Sequence, residues 1–350
     1  MTEARNRPPT LGDVAARAGV SVSTASNVVR GSDVVAASTR RKVQAAVEEL
    51  GYRPNALARQ LLRGRAQVIG IVATELRNPF MAEIASIVER EVARFGFGAM
   101  FCTTDGDADR ERQAVSLMLE SRVAGIAFLS YLQETDRVGA MIDGQAATMF
   151  ISAAEPWSDS VSVDERRGGE LVAGHLLGLG HRTVAFVRSL APDAADLLRG
   201  DGFARSMRDA GGTVSVVDWD APDGRLTVGG VESEWRALIG PEHPITAVFA
   251  SNDFTAIDLI DVADGLGVRV PEELSVVGFD DIPAASLRRI DLTTVHQPRH
   301  ELVRLGVEGM IGRIEGRIVG PPLLTLAGVT LRSRGTAMAA VGRSSAEALP

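Results

Sequence analysis

Between Thr10 and Leu50 apolar residues recur at three- and four-residue spacing in three short runs separated by glycines, a pattern that predicts three amphipathic helices. Thr10 opens the first, with Asp13 three residues on in the acceptor place of a capping box; Val14, Ala15 and Ala18 form the inner face, and Gly19 ends it. Ser21 caps the second, whose Val22, Ala25, Val28 and Val29 face inward while Ser23, Thr24, Ser26, Asn27 and Arg30 point away before Gly31. The third, about Ala37 to Leu50, carries Val43, Ala46, Val47 and Leu50 on one face and stops at Gly51; Ala36 offers no capping hydroxyl, so Ser38 caps instead or that end frays.

From Val68 the pattern changes. Short apolar runs (VIGIVA, GAMFCTT, AGIAFLS, ATMFIS) alternate with helical stretches such as Phe80 to Phe95 and Arg110 to Glu120, which predicts crossovers over a parallel sheet. A second set begins near Ser162 with TVAFVRS, VSVVDW, TAVFAS and LSVVGFDD. After Thr294 come LTTVHQP, a helix from about His300 to Ile314 and VTLRSRG, so the chain is expected to cross between two α/β lobes three times. The expected division is a helical head at 1–53, a connector at 54–65 and a body at 66–336, followed by a disordered tail at 337–350. Within the body, lobe 1 takes about 66–161 and 295–324, and lobe 2 about 162–294 and 325–336.

Charge sharpens this picture. The 350 residues carry a net −8, yet residues 1–65 hold 11 Lys and Arg against 5 Asp and Glu, a local +6, while the remainder holds 26 against 40, or −14. A small basic segment on an acidic body suits a polyanion, because counterion release favours phosphate contact; a merely solvated basic face is the alternative. No apolar run reaches the roughly 18 residues of a membrane span and the N-terminus lacks a signal-like apolar core, so a cytoplasmic protein with no membrane partner is expected. The single cysteine, Cys102, excludes an internal disulfide and reads as a buried small hydrophobe.

A glycine at the turn lets the first two helices cross closely, so that the second can enter a major groove; a plain helical hairpin is the alternative. On the first reading Ser23 and Asn27 reach base edges. Thr10, Ser21, Thr24, Ser26, Thr39 and Tyr52 position the head on phosphates, a role that needs hydroxyls more than charge, and Val22 at the helix start belongs with the DNA-facing set as well as with the inner face. The following GYRPNALARQLLRGR contains a potential helix, Asn55 to Leu62, of two turns, too short to hold in isolation. Its Leu57, Leu61 and Leu62, flanked by Arg59, Arg63 and Arg65, suit a minor-groove wedge better than a flexible linker.

These motifs resemble the LacI/GalR family of transcriptional regulators from residue 10 to about 336. The resemblance is carried by TLGDVAARAGVSVSTAS, ELGYRPNALARQL, IGIVATELRNPF, VSVD, HLLGLGHRTVAFV, RGDGF, ASND, PEELSVVGFDDIP and DLTTVHQP, in family order. It implies an all-α helix-turn-helix DNA-binding head plus an α/β two-lobed, periplasmic-binding-protein-like effector domain. It further implies a homodimer, with a tetramer open, on a palindromic double-stranded operator, repression as the more frequent outcome, and a small-molecule effector, a sugar or sugar derivative, between the lobes. By this resemblance Leu61 wedges into the central base step with its symmetry mate, and Asn55 and Ala58 lie along the minor groove. Asn27 departs from the arginine of many members and pairs more naturally with adenine.

In the body, the residues at the strand ends are polar: Asn78-Pro79-Phe80 after the first strand, Arg199 before Gly202-Phe203, Asn252-Asp253 after TAVFAS, and Asp280 after VVGF. Amide, guanidinium and carboxylate groups beside aromatic faces suit a polyhydroxylated ligand, although helix capping would account for Asn78 or Asp253 taken singly. The resemblance maps effector contacts onto Arg199, Asn252 and Asp280, with Phe80 and Trp219 as stacking walls and Asn78 and Asp164 as further candidates. Arg299 near the crossover either joins Arg199 in favouring a carboxylate or phosphate or faces solvent. No GxxxxGK[ST], HExxH or GxSxG occurs, and the five histidines show no metal spacing: Pro298 separates His296 from His300, and His175 and His181 flank a GLG turn. No enzyme, cofactor or metal is therefore expected. The competing classes are an exported sugar-binding receptor, against which the basic head and missing signal argue, and a regulator that senses a protein. On this reading Leu61→Ala weakens operator binding in a gel-shift titration and leaves the DNA-free protein's effector affinity unchanged; equal operator affinity in variant and parent defeats the wedge.

Overall fold

Local capping starts the first unit. Helix α1 (Leu11–Ala18) begins with the Thr10/Asp13 capping box, in which the Thr10 hydroxyl accepts the Asp13 N–H (3.3 Å) and Asp13 Oδ2 accepts the Thr10 N–H (2.7 Å). It ends at Gly19, whose φ of 65° lets Val20 N–H close back on Ala15 O (3.0 Å). Ser21 Oγ accepts Thr24 N–H (3.1 Å) at the head of α2 (Val22–Val29). Helix α3 (Ala37–Leu50) starts without a side-chain cap and Ser38 lies inside its first turn, while Gly51 ends it at φ 61°. Val14, Ala15, Ala25, Val28, Val43 and Ala46 form the small core, with Leu50 and Tyr52 at its edge, and Arg17 reaches Glu49 across α1 and α3 (2.7 Å). Val22 departs from the sequence reading: placed on the inner face, it is 53% exposed, because at the first position of a two-turn helix it lies beyond the reach of the core.

The structure is a computed structural model that describes residues 9–29, 34–52, 66–189, 193–219, 239 and 245–340. The chain forms two units, 1–67 and 68–350. Asn55, Ala58 and Leu61, with the rest of the connector, lie outside the described residues, as do Arg30 and Gly31.

The second unit holds two six-stranded sheets built on the same plan. In the first, β1 (Val68–Ala73), β2 (Gly98–Thr103), β3 (Gly125–Phe128), β4 (Ala147–Ile151), β5 (Asp159–Val163) and β11 (Leu324–Ala327) lie in the order β11-β5-β4-β3-β1-β2, all parallel. In the second, β6 (Thr183–Ser189), β7 (Thr213–Trp219), β8 (Ala247–Ala250), β9 (Ser275–Asp280), β10 (Thr293–His296) and β12 (Thr330–Arg332) lie in the order β12-β10-β9-β8-β6-β7, antiparallel only at β10/β12. Helices α4 (Pro79–Arg94), α5 (Ala108–Glu120), α6 (Thr135–Ile142) and α10 (Arg299–Ile314) serve the first sheet, and α7 (Glu165–Gly178), α8 (Ala194–Asp209) and α9 (Asp253–Gly265) the second. Near-continuous apolar strands such as VIGIVA and AVFA follow from burial on both faces. The chain crosses between the sheets after β5, after β10 and after β11. All three crossings fall slightly later than the sequence reading placed them, since Val163 and Ala327 still pair in the first sheet and His296 in the second. Arg313 on α10 grips Asp159 on β5 through two bonds (2.6 and 2.8 Å), and Asp159 also accepts Leu323 N–H (2.8 Å), fixing the returning segment.

Two other expectations change. Residues 337–340, assigned to a disordered tail, are held against lobe 2: Met338 N–H donates to Ser275 Oγ (3.1 Å), Ala340 N–H to Leu179 O (2.8 Å), and buried His181 pairs with Met338 O (3.0 Å). These bonds satisfy polar groups at one end of the second sheet that would otherwise be left open; the rest of the tail lies outside the described residues. Cys102 is half-buried on the edge strand β2, with burial raising its thiol above the ordinary value. Among the described residues no helix is long and apolar enough to cross a membrane.

The approach of α7 to α8 governs the second lobe. A Cβ on Gly169 would sit 2.1 Å from Arg199 O, and one on Gly202 2.2 Å from Arg166 O, so neither position has room for a side chain against the opposing backbone. Gly202→Ala is expected to cost about 1–3 kcal/mol, read as a lower Tm, because backbone, not a flexible side-chain tip, has to yield. Asp253, buried at the start of α9, accepts the Thr294 hydroxyl and Ile282 N–H (2.9 Å), and burial pushes its carboxyl from 3.8 up to about 7 despite those bonds. The folded state therefore keeps a proton that the unfolded chain has lost, so this group makes stability fall as pH rises from about 4 to about 7. Asp253→Asn should flatten that part of a Tm-against-pH curve; an unchanged slope would remove Asp253 from the account.

Candidate functional site

The first unit presents a hydroxyl cluster at the start of α2. Ser21 Oγ lies 2.9 Å from Ser23 Oγ and 2.8 Å from Thr24 Oγ1 while capping the helix, so three hydroxyls gather where free backbone N–H groups and the helix dipole favour an anion. Ser23 is exposed and Thr24, Ser26 and Asn27 are half-buried along the same helix; Val22 is exposed beside them. Thr10 is exposed but its hydroxyl is engaged with Asp13 (2.7 Å), and Thr39 and Tyr52 are half-buried on and just after α3. Seen by itself, this unit carries a short polar helix face on a small apolar core.

The second unit contains a cavity of about 100 Å³ to which both lobes contribute. In each sheet the order of strands reverses direction beside its first strand, β1/β3 in one and β6/β8 in the other, and the crevice at the carboxyl ends of such strands is where ligands bind in open α/β sheets. Lobe 1 supplies Asn78, Phe80 and Met81 after β1, Ser130 after β3 and Ser152 after β4. Lobe 2 supplies Asp193, Asp196 and Arg199 at the start of α8, Asn252 after β8 and Asp280 at the end of β9, and Gln297 lies on the crossing strand. Five of the seven residues picked from the sequence, Asn78, Phe80, Arg199, Asn252 and Asp280, thus line one void. Asp164 does not line it: it is exposed and caps α7 by accepting Arg167 N–H (2.9 Å). Trp219 ends β7, and its side chain lies outside the described residues.

Buried charge organises the lobe 2 wall. Arg199 donates to Glu165 Oε2 (2.6 Å) and Ser251 O (2.7 Å), and its guanidinium stacks 3.8 Å from the centre of the Phe279 ring. Burial alone would lower its pKa; Glu165 and Asp280 outweigh that and raise it, so Arg199 stays a cation. Burial raises Glu165, with Arg199 opposing. Burial also raises Asp280 well above the usual carboxylate range, and burial together with the neighbouring Asp193 pushes Asp196 up to about 6. Asn78 and Asn252 both cap helices, their Oδ1 atoms accepting Phe80 N–H (2.9 Å) and Thr255 N–H (2.8 Å), so capping and lining are combined in the same residues.

Asp280 and Asp281 adopt left-handed backbone at φ 114° and 55°, uncommon for residues with a Cβ. Arg299 holds them there by donating to both carbonyls (2.9 and 2.7 Å), while Gln297 Nε2 donates to Asp280 Oδ1 (2.7 Å) and His296 and Arg334 grip Asp281. Arg299 also lies 3.3 Å from Glu83 on α4 and is only 13% exposed. It neither lines the cavity nor faces solvent, the two alternatives open from sequence; it ties the site's strained corner to lobe 1. Sequence reasoning passed over Ser130, Ser152, Asp193, Asp196 and Glu165; the one available signal was for the acids of α8, with Asp193 at the helix cap and Asp196 in the first turn, six and three residues ahead of Arg199. Among the described residues no group of three or more His, Cys, Asp or Glu could hold a metal.

Comparison with known proteins bears on both units. Residues 10–55 match the model for bacterial regulatory proteins of the lacI family, and residues 173–337 that for a periplasmic binding protein-like domain. The chain is 31% identical over 314 residues to the HTH-type transcriptional repressor PurR of Photobacterium profundum, covering 88% of this chain and 92% of that protein. It is 32% identical over 312 residues to the ribose operon repressor of Escherichia coli, covering 87% and 93%. The crystal structure of the lac repressor dimer bound to operator and the anti-inducer ONPF superposes with a TM-score of 0.81 at 28% identity, over 95% of this chain and 100% of that one. With relatives above 30% identity along most of its length and a head that matches the family's own model, the chain belongs to the lacI family of bacterial regulatory proteins.

Proposed function

We propose that this protein is a transcriptional repressor that binds a palindromic operator as a homodimer and changes its operator affinity when a small polyhydroxylated molecule occupies the cavity between its lobes. The observation that carries the reading is the presence in one chain of a helix-turn-helix head and a void lined from both sheets at their strand-order reversals. The relatives support it: two are named as repressors, and a neighbouring structure is of a dimer bound to operator. The same names support a regulator in place of an enzyme, acting in the cytoplasm where the DNA is.

On this reading α2 enters the major groove. Ser23 and Asn27 read base edges, and Ser21 and Thr24 present hydroxyls to a phosphate at the helix start. A void shared by two lobes that are joined by three crossing segments closes when a ligand bonds to both. Segment 54–65 carries the coupling, with Asn55, Ala58 and Leu61 on the minor groove. A coupling of about 1–3 kcal/mol between cavity and operator corresponds to a roughly 5- to 150-fold change in affinity, and the effector's affinity responds to operator by the same factor.

The test starts from full-length protein and a duplex selected from a random pool. Ser23→Ala and Asn27→Ala should each reduce discrimination against single-base operator variants by about 1–3 kcal/mol, measured by fluorescence anisotropy. Equal affinity of the parent for the selected and a scrambled duplex would overturn the operator reading. Operator affinity that stays constant across a saturating ligand titration would overturn the coupling.

A further inference from the structure

The lining of the cavity is short of positive charge. Among the described residues Arg199 is the one cation on its wall, against Asp193, Asp196 and Asp280. Arg199 is already engaged on three sides, by the Glu165 carboxylate (2.6 Å), the Ser251 carbonyl (2.7 Å) and the Phe279 ring (3.8 Å). Arg299, close behind Asp280, has its guanidinium on two carbonyls and Glu83. The charge of Arg199 is already met by Glu165 and that of Arg299 by Glu83, so three aspartates on the wall share one arginine that has a carboxylate partner elsewhere.

The hydrogen-bonding atoms point the same way. Gln297, 1% exposed and lining the void, donates Nε2 to Asp280, and among the described residues its Oε1 accepts no bond and the Ser152 hydroxyl, also on the wall, has no partner. An amide oxygen can only accept. Because Asn78 and Asn252 have their oxygens committed to helix caps, the buried groups left to accept are Gln297 Oε1, the carboxylates of Asp196 and Asp280 and the Ser152 hydroxyl, which can also donate, and a ligand satisfies the first three by donating. A phosphate or carboxylate would add charge of the same sign at close range, whereas an ammonium group would supply both donors and the missing charge.

We infer that the effector is an aminated polyol, held by Asp196 and Asp280 through a protonated amine and by Gln297 and the asparagines through hydroxyls, and that the site rejects phosphorylated and carboxylated ligands. The inference rests on the cavity being the effector site. In the ligand-free protein burial raises both carboxyls, Asp196 to about 6 and Asp280 well above the usual carboxylate range.

The probes are matched sets at pH 7: glucose, galactose and mannose, their 2-amino derivatives, and their 6-phosphates, each titrated against the full-length protein while Tm is followed. For the stereochemistry that fits, the amine should bind at least about tenfold more tightly than the parent sugar, and its 6-phosphate should produce no shift. A parent sugar that binds as well as its amine, or a 6-phosphate that binds at all, overturns the inference. The second arm needs no ligand. Asp196→Asn removes one of the crowded carboxyls and should raise the ligand-free Tm; an unchanged or lower Tm overturns the charge argument. If no sugar or amino sugar of the set shifts Tm, the aminated-polyol effector is overturned; a parent sugar that binds as well as its amine overturns the amine alone and leaves the effector site standing.

Discussion

The bond between Arg199 and Glu165 is the constraint on which the second lobe and its site depend. Two opposite charges this deep are tolerable only at contact distance and with further partners, because each alone would carry a large desolvation cost. Contact is possible because α7 and α8 meet backbone to backbone at Gly169 and Gly202, where no Cβ fits. Glycines far apart in sequence thus place a carboxylate from one helix against a guanidinium from the next. The arginine then stacks on Phe279 at the heart of the second sheet and reaches the Ser251 carbonyl at the end of β8. Four elements of lobe 2 are registered by one side chain, and the cavity wall is its outer surface.

A second tie complements the first at the boundary between the lobes. Asp280 and Asp281 are held in left-handed backbone by Arg299, Gln297, His296 and Arg334, of which the first three lie on or beside the crossing strand. Arg299 faces Glu83 on α4 of lobe 1. The strained corner that presents Asp280 to the cavity is thereby fastened to a segment that crosses between the lobes.

Much of this was legible in the sequence. Periodicity gave ten of the twelve described strands, the main helices and the three crossings, because strands buried on both faces and amphipathic helices leave strong signatures; it missed β5, whose DSVSV carries three polar residues, and β11, a short and mostly exposed edge strand. The capping box at Thr10 and the glycine stops were readable for the same local reason. Of the site, Arg199, Asn252 and Asp280 stood out at strand ends and in motifs. What stayed hidden is non-local. Glu165 looks like an ordinary first-turn acid, Asp193 and Asp196 look like helix caps, and Gln297 looks like a turn residue before proline; nothing in their neighbourhoods shows what lies opposite. Arg299 is the clearest case, since its role is set by carbonyls at 280 and 281 and by Glu83, all remote in sequence. Val22 was misplaced because a two-turn helix lacks the length to carry every apolar position of its period into the core.

The interleaving of the lobes has a consequence for how the chain is made. The head is complete once its third helix is out, so it can fold on an emerging chain. Neither sheet can do the same: the first waits for β11 at 324–327, and the second for β12 at 330–332 and for the bonds made by Met338 and Ala340. Until residues 324–340 have emerged, each sheet has a strand edge that its own final strand does not yet cover, and uncovered edges favour aggregation. The pairing of β11 with β5 joins residues more than 160 apart in sequence, so closing the first sheet is a non-local event of the kind that slows folding.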